Sequence, residues 1–418
     1  MSSPTILFIH RNFPGQFRSL APYLVKKGWN VLAAGGRPEH DRFDCSKNAD
    51  GIHIFGYRPR REPTKDTHTY LRNMDIAVLD GQGFARTGLK MKEQGIEPDI
   101  IVAHSGWGSG SFARAVWPNA KFVQYLEWWY SYPARDVDPQ PLGNIGEQAE
   151  GRAKTLSRNL PILLDAVQAD AIICPSAFQA ADVPDMLKSN ITIMPDGVDC
   201  SRFHPQDNDG ELELNGLRIP SGQKIVTYAT RGMEPQRGFP EFMAAWAEAQ
   251  HKLPDTHCVI AGEDKVFYGA KLPEGQSFLK RAMETYEYDQ SRIHTVGRLD
   301  LDTYASLLRR TNCHAYLTKP FVVSWSLMEA MASGAPLVVS DVDPVRETLS
   351  GGNQAFFVDH GDISALARAI VETVKDPNMA KRRGQNARRQ VEARFEAQKC
   401  LGDFEAMFTQ LIGQRRAA

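Results

Sequence analysis

Residues 316–347 read YLTKPFVVSWSLMEAMASGAPLVVSDVDPVRE, and this stretch decides how the rest of the chain is read. An apolar run, Ala315-Tyr316-Leu317, ends at a turn, Thr318-Lys319-Pro320. Ser324 or Ser326 then caps a helix whose apolar positions Leu327, Met328 and Met331 recur at helical spacing. Gly334 closes that helix in the left-handed conformation, and Pro336 introduces a strand, Leu337-Val338-Val339-Ser340. Strand, loop and helix start together make a place for an anion, because unpaired N–H groups and the positive end of the helix dipole converge there. Glu329 stands inside the helix among Leu, Met and Ala. A lone carboxylate in such company either lies on the solvated face or is held by polar partners.

Outward from this stretch the same unit recurs. Thr5–His10 reads as a buried strand, 17–27 as an amphipathic helix ended by Gly28, and 30–34 as the next strand. Further strands are expected at 98–104, 121–126, 171–174 and 191–194, with helices at 69–94, 146–168 and 176–188. The second half restarts with strand 225–230, a loop to Gly238 and helix 239–253, then strands at 256–262, 293–299 and 355–358. Helices at about 362–375, 378–394 and 397–412 close the chain. Alternating strands and helices of this kind imply an α/β protein with parallel sheets.

The 418 residues allow two or three domains, and 42% hydrophobic with 24% charged residues is ordinary for a soluble globular chain. A net charge of −1 gives no electrostatic case for nucleic acid. No apolar run approaches the ~18–20 residues that cross a bilayer. Six scattered cysteines show no CxxC pair, so neither a zinc site nor a disulfide framework is expected, and the reading is cytoplasmic. The loop after the first strand, His10 to Phe17, is not a G-x-G-x-x-G fingerprint, which weakens a dehydrogenase reading. Residues 36–70, with Arg58, Arg60, Arg61 and Lys65, read first as a solvated loop. Their second reading is an acceptor-facing or membrane-facing patch, which leaves open a peripheral association with the inner membrane.

Three places carry chemistry by residue type. His104 ends a strand of a parallel sheet, where open α/β sheets place their ligands. Glu127, Trp128 and Tyr130 follow another strand, and aromatic faces suit sugar rings, although they also suit a core. Arg231 and Arg237 flank a loop before a helix, and guanidinium forks match phosphate oxygens.

Several segments then resemble the family 4 glycosyltransferases, retaining enzymes of the GT-B fold. Glu329-Ala330-Met331-Ala332-Ser333-Gly334-Ala335-Pro336 matches the family's "EAMA.G.P" residue for residue, and Met194–Asp199 with Arg202–Pro205 resembles its "PNGVD..RF.P". Arg231 matches the Arg of "GR....KG", and Arg237 replaces its Lys. Phe321 stands where the family carries a first Glu, eight residues before the second. The resemblance implies two Rossmann-like domains facing across a cleft, residues 1–195 and 223–395, joined by a linker at 196–222. A last helix, 396–418, is expected to cross back to the first domain. It further implies that Gly15 and Gln16 face the donor phosphates, that Gly297 and Arg298 line the base pocket, and that Phe321, Val322, Val323, Ser324, Trp325, Ser326 and Glu329 bind the donor. Glu329 would hold the ribose, and His104, Arg231 and Arg237 would act in catalysis. Glu127, Trp128 and Tyr130 would meet the acceptor.

The function expected is transfer of a hexose or deoxyhexose from a nucleotide diphosphate sugar to a glycan, lipid-linked or small-molecule acceptor, in surface polysaccharide or glycoconjugate synthesis. The nucleotide sugar is a co-substrate, and neither cofactor nor metal is expected. A sugar-nucleotide epimerase and a non-catalytic nucleotide-sugar-binding partner are the competing readings. Product formed without an acceptor would mark the first, and failure to turn over would mark the second.

Overall fold

The computed structural model describes residues 3–36, 48–137, 143–206 and 210–417. The chain divides into two compact units, the first Met1–Arg135, Pro139–Asp196 and Gln398–Ala418, the second Asp136–Asp138 and Gly197–Ala397.

In the first unit, β1 (Thr5–Ile9), β2 (Asn30–Gly35), β3 (His53–Gly56), β4 (Ile100–His104), β5 (Lys121–Tyr125), β6 (Ala171–Cys174) and β7 (Ile191–Ile193) form one parallel sheet. Its strand order is β3-β2-β1-β4-β5-β6-β7. These strands are near-continuous apolar runs because helices cover both faces, so alternation is absent. The order reverses direction between β1 and β4, and the carboxyl ends of those two strands are where an open α/β sheet leaves a crevice. The helix Ala397–Ala417 belongs to this unit, with the Tyr23 hydroxyl donating to Glu405 at 3.0 Å and Phe408 packed edge-on against Trp29.

The second unit opens with a two-stranded antiparallel hairpin, β8 (Leu212–Leu214) and β9 (Leu217–Ile219). Its sheet comprises β10 (Lys224–Gly232), β11 (Thr256–Glu263), β12 (Ile293–Gly297), β13 (Cys313–Tyr316), β14 (Leu337–Ser340) and β15 (Phe356–Val358), all parallel, in the order β12-β11-β10-β13-β14-β15. The reversal here falls between β10 and β13. Phe239, Phe242 and Trp246 of helix Phe239–Ala249 pack with Tyr228 on one face of the sheet, and each fully buried aromatic is worth about 3 kcal/mol. Leu327, Ala330 and Met331 of helix Trp325–Ala332 pack with Val339 on the other.

Four expectations are corrected. Residues 36–70 are not one loop: His53–Gly56 pairs with β2 and buries Ile54 and Phe55, a strand too short to display a period (residues 37–47 of that stretch lie outside the described residues). The helix expected at 146–168 is two, Ile145–Arg158 and Leu160–Ala166, broken at Asn159. The helix expected at 176–188 is also two, Ala177–Ala180 and Asp185–Lys188, because Pro184 cannot continue a helical ladder. The segment 197–222 is no free linker; it is part of the second unit and carries the hairpin, which buries Leu212, Leu214 and Ile219 against Val259 and Leu307.

Candidate functional site

Each unit gathers polar side chains at its own strand reversal. In the first, the loop after β1 brings His10 and Gln16, β4 ends in His104, and Glu127 follows β5. His10 accepts at Nδ1 from the Asn12 N–H (2.9 Å) and meets Gln16 Oε1 through Nε2 at 2.7 Å. The Gln16 amide donates to Glu127 Oε1 at 2.7 Å. His104 lies against Glu127 Oε2 through Nε2 at 3.1 Å and against the Ser105 carbonyl through Nδ1 at 2.9 Å. Trp107 stacks on the His104 ring with centroids 4.6 Å apart and meets the His10 ring in a T-shaped contact at 4.9 Å. Both imidazoles are buried, while 31% of the Glu127 side chain remains exposed.

Burial pushes the Glu127 carboxyl up, but the bond and charge of His104 and the bond from the Gln16 amide outweigh it and hold it below the ordinary carboxylate range. Gly15 and Gln16 therefore have distinct duties. A side chain at Gly15 would collide with the His10 ring, and Gln16 joins His10 to Glu127. Of the expected aromatic platform, Trp128 packs against Phe178, and Tyr130 lies under the Arg158 guanidinium at 3.5 Å. Asn159 holds the Tyr130 backbone on both sides, accepting from its N–H at 3.0 Å and donating to its carbonyl at 2.8 Å.

In the second unit a pocket opens between the ends of β10 and β13, lined among others by Thr230, Arg237, Tyr316, Ser324 and Ser326. Arg237 is buried; its Nη1 donates to Thr318 Oγ1 (3.0 Å) and to the Val322 carbonyl (3.3 Å). Its Nε and Nη2 donate no hydrogen bond to the described residues. Gly238, at φ +65°, lets this loop seat on β13, since a Cβ there would stand 2.4 Å from that of Leu317. The Tyr228 hydroxyl fixes the loop from below by donating to the Arg237 carbonyl at 2.7 Å.

Ser324 caps the helix Trp325–Ala332, accepting from the Ser326 N–H at 3.3 Å, and its own N–H donates to the Tyr316 hydroxyl at 2.9 Å. The N–H groups of Val322 and Val323 have no hydrogen-bond partner among the described residues. Arg237, Ser324 and Ser326 thus line one pocket at the start of this helix, a combination that suits an anion.

The other expected donor residues lie outside the lining of this pocket. Phe321 meets Tyr268 edge-on at 5.4 Å, and the Arg237 guanidinium lies 5.9 and 5.5 Å from their two ring centres. Arg231 is exposed and stacks on Phe267 at 4.1 Å, outside the pocket lining. Glu329 is buried on the helix and is not among the lining residues. Gly297 ends β12, the edge strand two strands from the pocket, and the exposed Arg298 follows it. Lining and support also include groups that the sequence reading passed over. Glu234, fully buried, accepts from the N–H groups of Phe267 and Tyr268 at 2.5 and 2.8 Å and so anchors the segment bearing both rings. Burial raises its pKa, partly offset by those two bonds and by Arg237 and Arg231. A carboxylate placed between two arginines in a strand-end loop was the available signal. Among the described residues no group of three or more His, Cys, Asp or Glu is arranged to hold a metal ion.

Two Rossmann-like parallel-sheet units, each with one strand reversal, make up a GT-B fold. Residues 27–203 match the family described as Glycosyl transferase family 4 group, and residues 210–390 match Glycosyl transferases group 1. The chain belongs to the family 4 glycosyltransferases, nucleotide-sugar-dependent enzymes of this fold. Among curated proteins it is similar to glycogen synthase of Mycobacterium tuberculosis, 23% identical over 80% of this chain and 76% of that one. It is also similar to the lipopolysaccharide core biosynthesis mannosyltransferase LpcC of Rhizobium leguminosarum, 27% identical over 54% and 61%. Among solved structures, sucrose-phosphate synthase from Thermosynechococcus elongatus superposes with a TM-score of 0.71 at 17% identity, covering 98% of this chain and all of that one. The Anabaena protein HepE in complex with UDP and glucose superposes with a TM-score of 0.65 at 15% identity, covering 97% of this chain and all of HepE.

Proposed function

We propose that this enzyme is a retaining transferase that moves a hexose or deoxyhexose from a nucleotide diphosphate sugar to a hydroxyl of a glycan, lipid-linked or small-molecule acceptor, without a metal ion. The observation that carries the reading is Arg237. A buried guanidinium held on one nitrogen by Thr318 and Val322 keeps its remaining N–H groups for a ligand, beside two unpartnered backbone N–H groups and a helix start. Those groups suit a diphosphate, and the UDP held by HepE is the kind of ligand they would take. As the bond from C1 to the diphosphate oxygen breaks, charge grows on that oxygen and these fixed donors stabilise it. The acceptor oxygen bonds to C1 on the same face, and its proton passes to the departing phosphate. Glu329 would hold ribose hydroxyls, Gly297 and Arg298 the base, and Arg231 a second positive charge.

Phe321 and Tyr268 give the sugar an apolar wall where the family motif has a carboxylate. A ring at that place also leaves the Arg237 charge unquenched. A donor with an apolar C–H face, deoxyhexoses included, fits such a wall. Glu127 and Trp107 would meet the acceptor. The relatives' names support synthesis of polysaccharide or glycoconjugate, and we place the work in the cytoplasm, at the inner face of the membrane when the acceptor is lipid-linked. No helix among the described residues is long and apolar enough to cross a membrane.

The test is to incubate purified enzyme with UDP-, GDP- and dTDP-activated hexoses and deoxyhexoses, with and without acceptors and with EDTA present. The expected result is acceptor-dependent release of one nucleoside diphosphate and a product that keeps the donor's anomeric configuration. Release without acceptor, inversion, or abolition by EDTA would contradict it.

A further inference from the structure

The hydrogen bonds of the first unit determine where its protons sit. His10 Nδ1 receives the Asn12 N–H, so the ring's proton is on Nε2 and is donated to Gln16 Oε1. That contact settles which end of the Gln16 amide faces which neighbour: its oxygen meets His10, and its nitrogen donates to Glu127 Oε1. His104 Nδ1 faces the Ser105 carbonyl, which only accepts, so Nδ1 carries a proton. The contact between His104 Nε2 and Glu127 Oε2 then needs one more, since two lone pairs 3.1 Å apart would repel.

We infer that His10 is a positioning residue: acting through Gln16, it holds the Glu127–His104 pair as carboxylate and imidazolium with one proton between them. The inference rests on the reading that Glu127 serves the acceptor. Its two oxygens are already occupied once each by Gln16 and His104, and its exposed edge offers the remaining lone pairs to an incoming hydroxyl. The other groups around the pair do not compete for its proton. The Tyr125 hydroxyl is given to Asp196 at 2.6 Å, and Asp165, whose field reaches His104, is bonded to the Ser111 hydroxyl. Gly15 belongs to the same device, because the His10 ring occupies the space where its Cβ would be.

The arrangement can be tested on the ligand-free full chain, so its outcome is independent of whether a nucleotide sugar binds. Histidine-selective 15N labelling at pH 7, assigned with His10→Phe and His104→Gln, should show His10 neutral with its proton on Nε2 and His104 protonated on both nitrogens. Glutamate-selective 13C labelling should then show the Glu127 carboxyl titrating higher in His10→Phe and in Gln16→Leu, by roughly one pH unit for the lost bond to a charged group. His10→Gln, whose amide can donate to Gln16, should return it toward the native value. A purely structural role would lower the melting temperature of these variants and leave the Glu127 midpoint unchanged. That outcome, or a His10 proton on Nδ1, would overturn the inference.

Discussion

A Cβ added at Gly15 would stand 2.3 Å from the His10 imidazole, and the backbone there has φ +46°, where side chains are strained. Gly15→Ala is therefore expected to cost about 1–3 kcal/mol in urea unfolding, with displacement of the His10 resonances. An unchanged unfolding midpoint would show that the ring relaxes freely. Asp165 offers a second test, in pH. It is fully buried, with Ser111 donating at 2.6 Å, and burial pushes its pKa to about 7 despite that bond and the His104 charge. The folded state thus keeps the proton more tightly than the unfolded chain. The associated stability is complete below about pH 4 and is lost as pH rises toward 7. Asp165→Asn keeps an acceptor for Ser111 and has no proton to lose, so its unfolding free energy should fall less than the native protein's between pH 4.5 and 8. Parallel pH profiles would refute this assignment. At this scale the sequence marked the strand-end loops that carry Gln16 and Arg237, but it set Gln16 toward the donor phosphates, whereas the structure bonds it to His10 and Glu127. His10 escaped notice because a single histidine ending an apolar strand has the same look as a core residue.

Among elements, strands with long apolar runs were readable, and the breaks between short helices were not. The interruption at Asn159 depends on a tertiary contact: its amide pairs with both backbone groups of Tyr130, a partner 29 residues away that no local pattern reveals. Asn159→Ala is expected to lower stability by about 2 kcal/mol, since it leaves those two backbone groups without their partners, and calorimetry measures the shift. A change within a few tenths of a kcal/mol would mean that water replaces the amide at no cost. The hairpin of β8 and β9 was likewise hidden in polar sequence, because its three buried apolar residues are separated by exposed charges.

On the scale of the whole molecule, the two units repeat one plan: a parallel sheet whose strand order reverses once, with polar side chains gathered at the reversal. That plan was legible from alternating strands and helices, and the family from 194–205, 225–240 and 316–347. Substrate identity was not, because side chains such as Phe321 and Tyr268, which the proposed function sets against the sugar, come together only in the folded second unit. The most direct test of the donor pocket is thermal unfolding of the full chain with UDP, GDP, dTDP and their sugars, beside Arg237→Ala checked for native circular dichroism. A nucleotide at 100 times its Kd should stabilise the native protein by about 2.7 kcal/mol, and the variant should lose most of that gain. No stabilisation by any of them, or an equal gain in Arg237→Ala, would contradict the account.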